Sequence, residues 1–300
     1  MNLEEQGALE ALEARLKAIL PAEYQDCYED VQPVSMGSAG LKYGDDGKVA
    51  WDEIWGSFCD LAMAGGPPHK GTLLEPGSRA DIKAQAERYR EVVAEICRGV
   101  TLVTELPAEP ASVPGWVRVE CLTEGMAEWL VRAIVMENVS ARCEGRLLDL
   151  PAGPGYRVEK EVKNVITAIA KTCHYWLDHM WPPQQRAIGN LFSMMSVEAP
   201  LVQPGSTGDD VQAASMAEAI RLATGLGRSE HRYAGWLGVE CPDVRAAIWM
   251  MRALVVSNVL ARREGTVLFV PVNPESDAGG EMVVRSVGRV YGFARARGVL

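Results

Sequence analysis

The sequence predicts an α/β protein of the α+β kind: an internally duplicated α-ββαβα unit, with mixed sheets and helices packed on them. Three observations carry this expectation. Residues 115–121 (GWVRVEC) recur as 235–241 (GWLGVEC), and without a gap residues 115–154 match 235–274 at 19 of 40 positions, where ordinary residue usage would give about two or three. Trp116, Val117, Arg118, Val119 and Glu120 alternate apolar with polar, the period of a half-buried strand. Val162, Val165, Ile166, Ile169, Cys173, Trp176 and Leu177 fall on one helical stripe, and Val283, Val287, Val290 and Ala294 repeat it one residue out of step. Two copies of one unit commonly pack about a pseudo-two-fold axis, the intrachain counterpart of an isologous dimer.

Each element follows from local chemistry. Residues 2–20 form a leading helix, which with the arm to residue 44 is assigned to the first copy. Residues 34–51 read as a hairpin turning at Asp45, Asp46 and Gly47. A helix over 49–64 leads into a Gly- and Pro-rich loop at 65–71. A second helix starts at Ser78, a good N-cap, and runs to Arg98, with Gly99 as its terminator. Strands are expected at 101–106 and 116–122, joined by a proline-rich turn. A helix over 124–144 stops at Gly145. A strand at 146–151 and a helix at 159–179 close the copy. The segment 73–78 resembles 201–206 and belongs to the repeat as well. The resulting division is 1–44 for the N-terminal helix and arm, 45–181 for the first copy, and 182–300 for a linker (182–208) and the second copy.

Composition narrows the function classes. With 30 Lys+Arg against 40 Asp+Glu the formal charge is −10, which argues against nucleic acid or an anionic membrane as partner, since both demand basic patches. Apolar residues at 48% and charged residues at 23% are those of a globular chain. No stretch approaches the roughly 18 apolar residues of a membrane span. Glu4 and Glu5 stand where a secretory signal would carry positive charge. The seven cysteines are odd in number and never form a Cys-x-x-Cys pair, so a cytoplasmic protein with reduced thiols is expected.

Two kinds of polar residue are candidates for chemistry. The first recurs in both copies: Arg132, Asn138 and Arg142 match Arg252, Asn258 and Arg262. On a helix that is apolar at nearly every angle these side chains are buried, and buried arginines need partners, with Glu120 or Glu144 available. A structural ion-pair network is the simpler account, and a symmetric anion site the sharper one. Arg142 and Asn138 are therefore ligand-binding candidates. The second kind occurs in one copy only. In the loop 65–72 (GGPPHKGT), stiff turn residues hold His69 and Lys70. Both can bind anions and His69 can exchange a proton near neutral pH, so this pair is the catalytic candidate. In 171–176 (KTCHYW), Cys173 lies within the apolar stripe, whereas His174 points aside with Lys163, Thr167 and Asp178. His174 is thus a third ligand-binding candidate. His174 and His179 are spaced i,i+5, a poor metal pair on an α-helix, where zinc pairs use i,i+4, so no metal is expected. Phosphate-loop, dinucleotide, hydrolase-elbow and zincin motifs are absent, and no cofactor is identified.

These features lead to the expectation of a cytoplasmic small-molecule enzyme or ligand-binding protein. It would have a single diverged site in the first repeat for an anionic or carboxylate-bearing metabolite, its reaction undefined. The alternative is a non-catalytic subunit or scaffold acting through its pseudo-dimer surface; a homodimer is compatible with either.

Overall fold

The computed structural model describes residues 3–25, 41–54, 72–205 and 209–300. Helix α1 (Leu3–Ala18) carries Glu4 and Glu5 in its first turn and Arg15 and Lys17 in its last, which suits the partial charges of the helix ends. Leu9, Leu12 and Leu16, at three- and four-residue spacing, form its buried stripe. The chain separates into one unit of residues 30–189 and another of 1–29 with 190–300. Helix α1 thus belongs with the second half of the sequence, not with the first copy as expected.

In the unit of 30–189, Ser78 caps α2 (Arg79–Ala84) by accepting the Asp81 backbone N–H at 3.1 Å. After Gln85 breaks the helix, α3 (Ala86–Thr104) continues through Gly99 and ends at Glu105, which sits at φ +59. The expected stop at Arg98 and strand at 101–106 are thereby corrected. Gly99 is present for close approach, since a Cβ there would run into Ile166. Strands β1 (Ala108–Pro110), β2 (Trp116–Glu120), β3 (Arg142–Glu144) and β4 (Leu147–Pro151) form a sheet in the order β1-β2-β4-β3. All of its strand pairings are antiparallel, and among the described residues of this unit parallel pairing is limited to the bridge Leu74–Val139. The mixed sheet that the sequence suggested is therefore an antiparallel one.

Helix α4 (Glu124–Met136) is capped by the Thr123 hydroxyl and ends eight residues before the expected stop. Asn138 adopts φ +59, a left-handed conformation that asparagine tolerates, and turns the chain into β3. Gly145, at φ +56, then makes the two-residue β3–β4 hairpin. Val117, Val119, Leu148 and Leu150 present a fully buried face, and Met126, Leu130 and Ile134 of α4 are equally inaccessible. Helix α5 (Lys163–His174) packs against both α3 and α4 and is flanked by wider π turns at Val158–Val162 and Tyr175–His179. Helix α6 (Pro182–Glu198), within which the division between units falls, occupies most of the segment expected to be a linker.

The unit of 1–29 and 190–300 continues with α7 (Asp210–Thr224), β5 (Trp236–Glu240), α8 (Val244–Val255), β6 (Arg262–Glu264), β7 (Val267–Pro271) and α9 (Glu281–Ala296). Its three strands run in the order β5-β7-β6. The register has the same form as in the other sheet: Trp236 opposes Pro271 as Trp116 opposes Pro151, and Arg262 opposes Phe269 as Arg142 opposes Asp149. Positive φ recurs at Gly235, Asn258 and Gly265. Helix α9 packs on α7 and α8, and α1 packs on α8. Among the described residues no helix is long and apolar enough to cross a membrane.

Candidate functional site

The residues selected from sequence engage separate neighbours. His69, Lys70 and the rest of the loop 65–71 lie outside the described residues. Arg142 stands on strand β3, not on the preceding helix, and its partner is Asp149, not Glu120 or Glu144. Its Nε and Nη2 donate to Asp149 Oδ2 at 3.0 and 2.9 Å, and its guanidinium stacks 4.5 Å over the Trp116 ring. Asp149 also accepts Nε and Nη2 of Arg118 at 2.8 and 3.1 Å, which holds the Arg118 guanidinium above its ordinary pKa. Strand register explains this choice, because Glu109, Arg118, Asp149 and Arg142 form one row of alternating charge across the sheet. Glu120 pairs with Arg146 instead.

Asn138 is 1% exposed, and its carbonyl accepts the Leu74 backbone N–H at 2.8 Å, so its visible task is to terminate a helix. Arg132, also 1% exposed, donates from Nη1 to the Glu128 carbonyl at 2.7 Å; burial lowers its guanidinium pKa. His174 is half-exposed, with Nδ1 2.6 Å from Asp178 Oδ2 and Nε2 3.2 Å from His179 Nε2. The i,i+5 pair therefore does meet. Residues five apart are about 140° apart on an α-helix, but a π turn, whose hydrogen bonds close i to i+5, brings them onto one side.

A concave feature lies in the unit of 1–29 and 190–300. It is a groove of about 380 Å³ between α1, the end of α6, the turn after α8, and α9. Helix α9 buries Val283, Val287, Val290, Phe293 and Ala294, which turns Arg285, Ser286 and Arg289 along its flank into the groove. The Asp277 carboxylate fixes the start of this helix by accepting the backbone N–H groups of Met282 and Val283, each at 3.0 Å. On the facing side, Ala8 and Ala11 of α1 leave space next to Arg15. Arg15 is held bidentately by Glu198 at 2.8 and 3.1 Å, and Arg297 pairs with Glu13. Asn258 donates from Nδ2 to the Ala199 carbonyl at 2.8 Å, which ties the end of α6 to the turn after α8.

The groove carries an excess of positive charge in a chain that is acidic as a whole. Arg15, Arg285 and Arg289 face a single acid, Glu198, which Arg15 already engages. Among the described residues no carboxylate pairs with Arg285 or Arg289; the Arg289 guanidinium lies 5.4 Å from the Phe293 ring centre. Like charges at i,i+4 on one helix face repel modestly, so this pair gains nothing locally. Met195, Met282 and Phe293 supply apolar wall. Sequence reasoning missed these arginines although a signal existed. With the terminal helices aligned on their apolar stripes, Arg285 and Arg289 stand where the first half has Asn164 and Ala168.

Nucleophilic cysteine chemistry is disfavoured at the described thiols. Burial pushes Cys97 up to about 11 and Cys121, Cys143 and Cys241 up to about 12, and Cys173 rises well above its ordinary value for the same reason. At pH 8 a thiol of pKa 11 is only about 0.1% thiolate. A variant lacking Cys27 and Cys59, which lie outside the described residues, is expected to react with Ellman's reagent over 100-fold more slowly than free cysteine. The rate should rise about tenfold per pH unit, and unfolding should release five thiols. A fast native phase in that variant would contradict the burial. The chain matches no known family model, no curated protein and no solved structure.

Proposed function

We propose that the protein binds a small anionic molecule, carboxylate- or phosphate-bearing with an apolar portion, in the groove lined by Arg285 and Arg289. The carrying observation is that pair of arginines, aimed into a cavity without a carboxylate partner. Guanidinium forks match carboxylate and phosphate oxygens in bidentate geometry, and the groove's volume lies within the range of small-molecule sites. The Ser286 hydroxyl adds a polar contact, whereas Ser257 donates its own to the Ala253 carbonyl at 2.8 Å, and the methionines and Phe293 add apolar contacts. Its described lining holds no histidine or cysteine, which favours binding over catalysis at this groove. The ligand class is the one expected from His69, Lys70 and Arg142; the site proposed for it lies in the second half instead of the first repeat.

We infer further that the two units descend from one duplicated sequence. Support comes from the identities between 115–154 and 235–274, the matching strand registers, and Gly, Asn and Gly at corresponding positive-φ positions. On that reading the groove arginines are a specialisation of the second copy, because scaffold residues recur and these do not.

A thermal-shift panel of carboxylates, phosphates and neutral analogues tests the binding reading. Anionic compounds should raise the melting temperature, as ligand binding to the native state requires. Because a hydrogen bond to a charged group contributes about 1.5–3 kcal/mol, Arg285→Gln or Arg289→Gln should weaken the best ligand about 10- to 100-fold. Both positions are exposed, so the variants should fold normally. An undiminished shift in the double variant would place the ligand elsewhere.

A further inference from the structure

We propose that His174 and His179 form a two-histidine site for a divalent transition metal that favours imidazole (Zn²⁺, Ni²⁺ or Cu²⁺), with Asp178 as the positioning residue for His174. The reasoning starts from the distance between the rings. Their Nε2 atoms are 3.2 Å apart and their centres 4.9 Å apart, with 72° between the ring planes. A zinc ion about 2.05 Å from each nitrogen would span that nitrogen separation at an angle of about 103°. The same ion, about 3.2 Å from each ring centre, would span the centre separation at about 100°. The two figures agree, and both are close to the tetrahedral angle. A head-on N–H···N hydrogen bond of the same length would instead hold the centres about 5.5 Å apart. The rings therefore converge on a point beside them instead of facing each other end to end.

The proton arrangement fits as well. With Nδ1–H donating to Asp178 Oδ2 at 2.6 Å, His174 keeps its lone pair on Nε2, the atom that faces His179. Carboxylate–histidine–metal triads use this same device to fix ring orientation and raise ligand basicity. On binding, His179 would carry its proton on Nδ1 and present Nε2 to the ion. Both residues are partly buried, and 21% of the His174 side chain remains accessible to an ion. Tyr175 adds an edge-on ring contact to His179, with centres 5.7 Å apart, and limits its rotation. Among the described residues no group of three or more His, Cys, Asp or Glu is placed around one ion. An ion held by the two rings would take its remaining ligands from other donors. Nitrogen donors select borderline metals over Mg²⁺ and Ca²⁺, which take oxygen. The π turn has a purpose in this account, since the same five-residue spacing on an α-helix would keep the rings apart.

The test uses full-length protein stripped by a chelator and titrated with Zn²⁺ by calorimetry and with Cu²⁺ by electron paramagnetic resonance. One equivalent of Zn²⁺ should bind, Mg²⁺ should not, and the Cu²⁺ spectrum should show coupling to two imidazole nitrogens. His174→Gln and His179→Gln should each weaken binding at least about 10-fold, and Asp178→Asn about 10-fold through lost orientation. Far-UV circular dichroism should be unchanged, and the spectrum of the unsubstituted protein reads the ligands even if a variant misfolds. Wild-type affinity in both glutamine variants, or no uptake of Zn²⁺, Ni²⁺ or Cu²⁺ by the unaltered chain, overturns the proposal.

Discussion

Asp149→Ala is expected to destabilise the protein by about 3 kcal/mol, read as a fall in the urea midpoint at constant slope. Asp149 is 4% exposed and is the shared acceptor of Arg118 and Arg142. Removing it leaves two guanidiniums facing each other with their anion gone. They retain 25% and 30% side-chain exposure, so water offsets part of the loss and the lower end of the range for a broken buried pair applies. The other sheet shows a second way to fill this position. There Phe269 replaces the aspartate and Gly238 replaces Arg118, while the Arg262 guanidinium lies 4.0 Å over Phe269 and bonds Glu264 at 2.7 Å. A Cβ on Gly238 would come within 3.1 Å of the Phe269 ring, so phenylalanine and glycine belong together. Asp149→Phe alone should therefore cost more than it does in combination with Arg118→Gly. A favourable coupling on the order of 1–2 kcal/mol is expected, with Arg142 free to turn toward Glu144. Simple additivity in the double-mutant cycle would refute this account.

Glu137→Ala should be equally severe, about 3–4 kcal/mol, because Lys171 is 2% exposed and its Nζ donates to Glu137 Oε1 at 2.8 Å. The alanine variant removes the carboxylate that accepts the buried ammonium's 2.8 Å hydrogen bond. Replacing both members by apolar residues, as in Glu137→Leu with Lys171→Met, should restore most of the loss, since a buried ion pair is commonly no better than a well-packed apolar pair. The corresponding positions in the second half, Ser257 and Gly292, lack both charges together. Urea unfolding of the single and double variants decides the point. A double variant as unstable as the single would mean that packing, and not the lost ion pair, sets the cost.

Legibility in the sequence followed the range of the interaction involved. Strand β2 and the buried stripe of α5 were readable because alternation and 3.6-residue spacing are local. Gly115, Asn138 and Gly145 share with Gly235, Asn258 and Gly265 a backbone conformation that few residues tolerate, so the identity of these positions is legible in the sequence. The end of α4 was misplaced because residues 139–143 continue its apolar composition, and only the turn at Asn138 marks the change to β3. Arg142 was paired with the wrong acid because Asp149 becomes its neighbour only through the β3–β4 register. His174 and His179 were judged too far apart because a π turn is indistinguishable from an α turn in residue pattern.

What the sequence by itself determined is the recurrence of residues 115–154 in 235–274 and an acidic balance of −10. Both depend on residue identity and short spacing. The groove proposed as a binding site exists only in the tertiary structure. The groove needs α1 and α9 from opposite ends of the chain, and its Arg15–Glu198 pair joins residues 183 apart. Its charge excess is a property of which carboxylates fail to reach Arg285 and Arg289. Such a property has no local signature, because it is set by the packing of distant helices around a shared apolar core.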